Sequence, residues 1–395
     1  MKIASFKTFV VGTPPPHIGG LYFVFVKLVT DDGIEGVGEV YGATFGPHTM
    51  ARMAEDVCER LVVGEDPFAI ERLWRRIYAS GFSMRPDISL QGVLSAIEMA
   101  CWDIVGKAVG RPVYDLLGGQ VHERLRTYTY IYRPLDDPLR LTSPAPKDAD
   151  LAAERAAGYV EQGFTALKFD PFMETMSALD PRQPPLAELT RVETFVRTVR
   201  EAVGDRCDLL LGTHGQFTTS AALRVARRLE QFDPLWFEEP TPPEMPEQMA
   251  RVAARTSIPV AAGERLATKY EFARLLELGA ASILQFDLGR VGGLLEAKKI
   301  AGMAEAHYAQ IAPHLFCGPV AGAANIQIAT CSPNFLILEG IENWSGFITE
   351  IVKTPIVWEN GYVIPPTAPG LGVELDEQVA AAHPYAGDVW PKVKD

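Results

Sequence analysis

With 395 residues, 47% hydrophobic and 22% charged, the chain has room for two domains and a large core, and its composition is that of an ordinary globular protein. A formal net charge of −13 at pH 7 argues against nucleic acid and against anionic membrane surfaces, because both reward basic patches. An anionic substrate must therefore be held by local positive charge, either a metal ion or a few Arg and Lys. The five cysteines (Cys58, Cys101, Cys207, Cys317, Cys331) are odd in number, scattered and without a CxxC pair, which reads as free thiols in a reducing compartment. The N-terminus has no signal-peptide architecture, and no apolar run approaches the ~20 residues of a membrane span, so a cytoplasmic enzyme is expected.

In chain order, residues 3–11 and 21–30 read as strands rich in Phe, Tyr and Val, Asp32-Gly33 as a hairpin turn, and 34–41 as the returning strand. Helical patterns follow at 47–62 and 67–79. The clearest is 89–108, where Leu90, Val93, Leu94, Ile97, Cys101, Ile104 and Val105 keep a 3.6-residue period until Gly110 and Pro112 stop it. Strands followed by helices predict a separate α+β domain over 1–120. From Leu125 strands and helices alternate. Strands are expected at 125–132, 164–169, 207–211, 235–238, 258–262, 283–286, 309–313 and 335–338, with helices between them, as at 148–161, 188–203, 218–231, 267–278 and 292–306. Eight such units over 121–355 fit the roughly 250-residue (β/α)₈ barrel. A doubly wound open sheet is the alternative, but no glycine-rich phosphate fingerprint follows an early strand. Residues 170–187 form a long irregular insertion of the kind that is usually functional, and the tail from 356 is Pro- and Gly-rich.

The strands stop at Asp170, His214, Glu238 with Glu239, Glu264, Asp287, His314 and Glu339. One acid after a strand is an ordinary helix cap or loop charge, but a whole series in register predicts an active site at a barrel mouth. Glu238 and Glu264, on the fourth and fifth strands, point into one mouth, where two carboxylates repel unless one is protonated or a cation lies between them. With oxygen ligands only, the natural cation is Mg²⁺; the plain alternative is a salt bridge to Arg265. Asp287 and His314 end neighbouring strands, and an aspartate that fixes the tautomer of an imidazole makes a general-base dyad. His214, four strands away, should face His314 across the mouth. Cys317 reads as structural. His17 and His48 sit in loops of the first domain that would reach a substrate as a lid.

The segments GVGEVY, SAIEMACWDIVGKAVGRPVYDLLGG, WFEEP, AAGER, LQFDLGRVGG, KIAGMAEAHY, APHLFCGP and PGLGVELDE together resemble the mandelate racemase-like subgroup of the enolase superfamily over nearly the whole chain. Within it the chain looks most like the galactonate dehydratase-type sugar-acid dehydratases. The resemblance implies an α+β capping domain at 1–120 to which residues 356–395 return, closing over a Mg²⁺ site. It implies Glu238 and Glu264 as metal ligands, Asp287 and His314 as the dyad that removes the α-proton, and Glu339 as hydrogen-bonding the enolate oxygen. His214 matches the histidine that protonates the departing hydroxyl. Lys168, Arg265 and His17 are the candidates for binding the substrate, and a homo-oligomer is expected. Two departures stand out. The third strand reads LLLGTHGQF, so Gly212 occupies the position of an acidic metal ligand. The second reads Lys168-Phe169-Asp170, so the second lysine of a Lys-x-Lys pair, a base in racemases, is absent. Asp170 is the expected replacement for the missing metal ligand, with His214 as the alternative. A sugar-acid dehydratase is the leading expectation; epimerisation, cycloisomerisation or a binding protein with a degraded metal site are the alternatives.

Overall fold

The computed structural model describes residues 1–42, 45–82, 84–137, 146–172 and 182–387. It begins with an antiparallel meander of β1 (Ile3–Gly12), β2 (Tyr22–Thr30) and β3 (Glu35–Glu39), turning at Asp32-Gly33, where Gly33 takes φ 85°. Four helices follow, α1 (Pro47–Val57, continued by a π-turn to Val62), α2 (Ile70–Tyr78), α3 (Ile88–Val109) and α4 (Val113–Leu116). Asp87 caps α3 by accepting from the amides of Ser89 and Leu90, and Gly110 ends it in the left-handed conformation. α3 lies so close on β3 that a Cβ at Gly38 would stand 1.8 Å from the Ala96 carbonyl oxygen.

α3 is also long and apolar enough to cross a membrane, which the sequence reading did not find because Glu98, Asp103 and Lys107 interrupt the run. Most of the helix is buried, and its acids are tied to the rest of the molecule. Glu98 accepts from the amides of Leu294 and Leu295, and Asp103 accepts from those of Val37 and Leu371.

Alternation then sets in: β4 (Leu125–Tyr130), α5 (Ala149–Glu161), β5 (Ala166–Phe169), α6 (Leu186–Val203), β6 (Asp208–Gly212), α7 (Thr219–Leu229), β7 (Trp236–Glu238), α8 (Pro246–Ala253), β8 (Val260–Ala262), α9 (Thr268–Glu277), β9 (Ile283–Leu284), α10 (Leu294–Ala306), β10 (Gln310–Ile311), α11 (Pro319–Thr330) and β11 (Leu338–Glu339). β4 to β10 pair in parallel with their sequence neighbours, and β11 pairs in parallel with β4. The segment entering β11 also meets β10, through an Ile311–Phe335 bridge and hydrogen bonds from Ile311 N to Asn334 O and from Leu336 N to Ile311 O. The eighth strand thus touches both the seventh and the first, the arrangement of a (β/α)₈ barrel. Its interior holds a single cluster with one buried residue in or directly beside each strand: Tyr128, Ala166, Leu210, Trp236, Ala261, Ile283, Ala312 and Ile337.

After α12 (Phe347–Glu350) comes the Pro- and Gly-rich tail. β12 (Val357–Glu359) and β13 (Tyr362–Ile364) form a hairpin that extends β4 antiparallel. Its turn is Asn360-Gly361, both at positive φ, a hairpin signal present in the sequence. The chain then runs back to the first domain through the Val352–Leu375 and Val11–Pro384 bridges and α13 (Glu377–Ala382).

Candidate active site

Side chains along a strand alternate in direction, so the residues two positions beyond the interior layer also face the barrel axis, one step nearer the mouth. They are Tyr130, Lys168, Gly212, Glu238, Gly263, Gln285, His314 and Glu339. The candidate chemistry is therefore a consequence of strand register, with Asp170, His214, Glu264 and Asp287 just beyond. A cavity of about 290 Å³ opens above this layer, lined by Tyr41, Tyr130, Tyr132, Lys168, His214, Glu264, His314, Leu315, Phe316 and Glu339.

His314 and Asp287 form a parallel bridge, with Nδ1 of the histidine 2.6 Å from Asp287 Oδ2. Asp287 Oδ1 accepts from Gly289 N at 2.7 Å, which fixes the carboxylate, and His314 Nε2 lies 3.5 Å from Glu264 Oε2. Burial alone would lower the His314 pKa, but the charge of Glu339, the Asp287 hydrogen bond and the charge of Glu264 raise it to about 9. Tyr41, from beyond β3, stacks on the imidazole with ring centroids 6.0 Å apart, so the first domain forms one wall.

His214 is held by a second aspartate: Nδ1 is 2.6 Å from Asp170 Oδ2. Its backbone sits at φ 46°, a region costly for a non-glycine residue and met most often at functional sites. Hydrogen bonds from Thr213 Oγ1 to Glu238 O (2.7 Å) and from Gly215 N to Glu239 O (2.7 Å) hold that turn in place. Burial lowers the imidazole pKa, while Asp170 and Glu264 raise it above the ordinary value.

Asp170, the expected replacement for the missing metal ligand, is engaged by protein groups at both oxygens: Oδ1 accepts from Phe172 N (2.9 Å) in its own loop, and Oδ2 accepts from Gln216 Nε2 (3.1 Å) and lies by His214, both on the third-strand loop. Glu238 is engaged at both oxygens, by Lys168 Nζ at 2.5 Å and Gln285 Nε2 at 2.8 Å. Among the described residues, no three His, Cys, Asp or Glu side chains form a group that could hold a metal ion. Glu339 accepts from Leu315 N at 2.8 Å and lies 3.5 Å from Lys168. Of the three candidates for substrate binding, only Lys168 lines the cavity. Arg265 pairs with Glu239 (3.1 Å) and Glu264 (3.4 Å), and His17 Nδ1 is bonded to Thr13 Oγ1 within its own loop. His48 reaches the Tyr385 carbonyl. Cys317 is buried, and burial pushes its thiol pKa well up. The insertion read at 170–187 falls outside the described residues at 173–181.

Sequence reasoning missed Gln285, inside a run read as apolar, and the tyrosines Tyr41, Tyr130 and Tyr132. Counting two positions on from Ile283 and Tyr128 finds Gln285 and Tyr130; Tyr41 follows from nothing local.

Residues 17–118 match the mandelate racemase/muconate lactonizing enzyme N-terminal domain, and residues 151–379 match the enolase C-terminal domain-like model. The chain is 36% identical to a D-galactonate dehydratase from Ralstonia nicotianae, over 99% of this chain and 96% of that one. It is 34% identical to a D-gluconate/D-galactonate dehydratase from Picrophilus torridus, over 92% and 89%. Among solved structures, a protein from Labrenzia alexandrii DFL-11 assigned to the mandelate racemases and muconate lactonizing enzymes superposes with TM-score 0.93 at 62% identity, covering 98% of each chain. With both domain models matched in order and barrel and site as described, the chain belongs to the mandelate racemase/muconate lactonizing enzyme family of the enolase superfamily.

Proposed function

We propose that the chain is a hydro-lyase acting on a polyhydroxy acid, an aldonate or aldarate, which it converts to a 2-keto-3-deoxy acid. The observation that carries this reading is the pair of aspartate-held histidines lining one cavity. In each, Nδ1 is fixed by a carboxylate, which leaves Nε2 for the substrate. The dehydratase relatives support the reaction class.

In this reading His314, in its neutral form, removes the proton on the carbon next to the carboxylate, and the electron pair moves into an enediolate. His214, as imidazolium, gives its proton to the β-hydroxyl, the C–O bond breaks, and water leaves. The enol tautomerises to the ketone, and exchange with solvent restores both imidazoles. Each histidine should contribute ~10²–10⁴-fold.

Enolase-superfamily members typically use Mg²⁺, but the residues here do not fit it. Both Glu238 oxygens are occupied, one of them by an ammonium that would repel a dication, and Gly212 offers no third ligand. No step is therefore routed through a metal. The resemblance also supports a homo-oligomer, which sedimentation checks.

The test is a screen of mono- and diacid sugars for 2-keto acid release. His214→Asn should lose dehydration but keep exchange of the α-proton with D₂O, whereas His314→Asn should lose both. Deuterium at C2 of recovered substrate, with inverted configuration and no keto acid, would assign epimerisation instead.

A further inference from the structure

We infer that Lys168 serves as a built-in cation, its ammonium holding the substrate carboxylate and the enediolate in place of a divalent ion. The inference deepens the proposed function and rests on it for the chemistry.

Lys168 is 1% exposed at the mouth end of β5, with Nζ 2.5 Å from Glu238 Oε1 and 3.5 Å from Glu339 Oε1. Its charge also lies over two ring faces, 5.1 Å from the Tyr130 centroid and 5.9 Å from that of Tyr128. A buried ammonium is tolerated only when paired, and this one is paired twice. Its two carboxylate partners, which strand register aims at the barrel axis, set this cation where they would otherwise repel each other.

A Cβ at Gly212 would stand 3.3 Å from Lys168 Cε and 3.3 Å from the Tyr130 hydroxyl, so the lysine arm lies directly against the position from which the third ligand is missing. With no acid at 212, one negative charge fewer competes for that ammonium. Among the described residues no neighbour restores a ligand set, because Asp170 is committed to His214, Gln216 and the Phe172 amide. An ammonium has three donors. Glu238 takes the close contact and Glu339 stands only at ion-pair distance, which leaves donor capacity for a carboxylate in the cavity that Lys168 lines. The lysine transfers no proton. It donates hydrogen bonds to the carboxylate oxygens, on which negative charge grows as the α-C–H bond breaks toward His314.

The decisive measurement is Mn²⁺ binding to the full-length protein after chelation and dialysis, read by electron paramagnetic resonance, with thermal unfolding in millimolar Mg²⁺ beside it. The wild type should bind no stoichiometric Mn²⁺, and Mg²⁺ should leave its midpoint unchanged. The Lys168→Ala/Gly212→Asp double variant should gain one Mn²⁺ per chain. One tightly bound Mn²⁺ per wild-type chain would overturn the inference, and this arm needs no variant to fold. These readings need no turnover, so they stand apart from any failure of the dehydratase assignment. Where a substrate is turned over, chelator should leave the rate unchanged, and Lys168→Met should lower kcat/KM by ~10²-fold or more with no rescue by divalent ions. Loss of turnover on chelation, restored by Mg²⁺, would also overturn it.

Discussion

Asp170 Oδ2 lies 2.6 Å from His214 Nδ1, and this contact joins the second and third strands of the barrel into one functional unit. It takes a carboxylate that strand position alone offers to a metal and gives it to an imidazole. Burial lowers the His214 pKa, and Asp170 and Glu264 raise it beyond its ordinary value, which favours the imidazolium that the proposed acid role requires. In Asp170→Asn the negative charge is gone and His214 gives up its proton at lower pH. The alkaline limb of the kcat profile should therefore move to lower pH, and kcat should fall by ~10²-fold with KM little changed. Paired pH profiles of kcat and KM measure this. An alkaline limb that stays in place would assign the acid to another group.

His314 makes the opposite demand, since a base must be neutral to accept a proton. With its pKa raised to about 9 by Glu339, Asp287 and Glu264 against the lowering effect of burial, kcat/KM should climb with pH by roughly tenfold per unit until about pH 9. Glu339→Gln removes one of the charges responsible and should bring the acid limb to lower pH, even where the rate itself drops. Stopped assays across pH 6 to 10 on both proteins check the sign, and an acid limb that rises in the variant would falsify the assignment.

Much of this was legible in the sequence because a buried parallel sheet writes its register into it. Short apolar runs ending at Glu238, Glu264, Asp287 and His314 identify the barrel mouth without any structure, since only strand ends bring such residues together. The helix over α3 was equally clear from its period and its stop at Gly110. What was not legible is where each carboxylate turns. Asp170 and Glu238 both end strands, yet one is drawn to an imidazole and the other to an ammonium, by partners 44 residues away in the first case and on a neighbouring side of the barrel in the second. Tyr41 is harder still. It reaches His314 only because the first domain docks on the barrel, where Tyr41 N donates to Gly289 O at 3.1 Å. The hairpin at Asn360-Gly361 was a different kind of miss, a local signal obscured by the proline-rich stretch after it.

That docking has a titratable part. Glu39, the last residue of β3, accepts from Gly318 N at 2.5 Å and Ala321 N at 2.9 Å, closing the N-terminus of α11 with a side chain from the other domain. Burial raises its pKa to about 8, above the roughly 4.3 of an unfolded glutamate. The folded chain thus holds this proton more tightly, so the stability it contributes is complete below about pH 4.3 and is lost as pH rises through about 8. Glu39→Ala leaves two buried amides without an acceptor, at a cost of ~2–4 kcal/mol. Urea unfolding should show a larger loss at pH 5 than at pH 8. Equal losses at the two values would mean that Glu39 is already ionised in the folded protein.

Gln285 offers the last check, because it positions Glu238 without needing to touch the substrate. Its Nε2 donates to Glu238 Oε2 at 2.8 Å, while Lys168 holds the other oxygen. Gln285→Leu keeps the volume of the side chain but leaves a buried carboxylate oxygen without its donor, which should cost ~1–3 kcal/mol of stability. With one restraint lost, Glu238 is free to rotate, and the Lys168 ammonium loses its fixed place. A lysine that holds the substrate carboxylate in the ground state as well as in the transition state should then show its loss mainly as a rise in KM, with a smaller fall in kcat. Steady-state kinetics on the variant, read beside its urea midpoint, separates this from general destabilisation. A fall confined to kcat would mean instead that Gln285 acts on the reacting atoms.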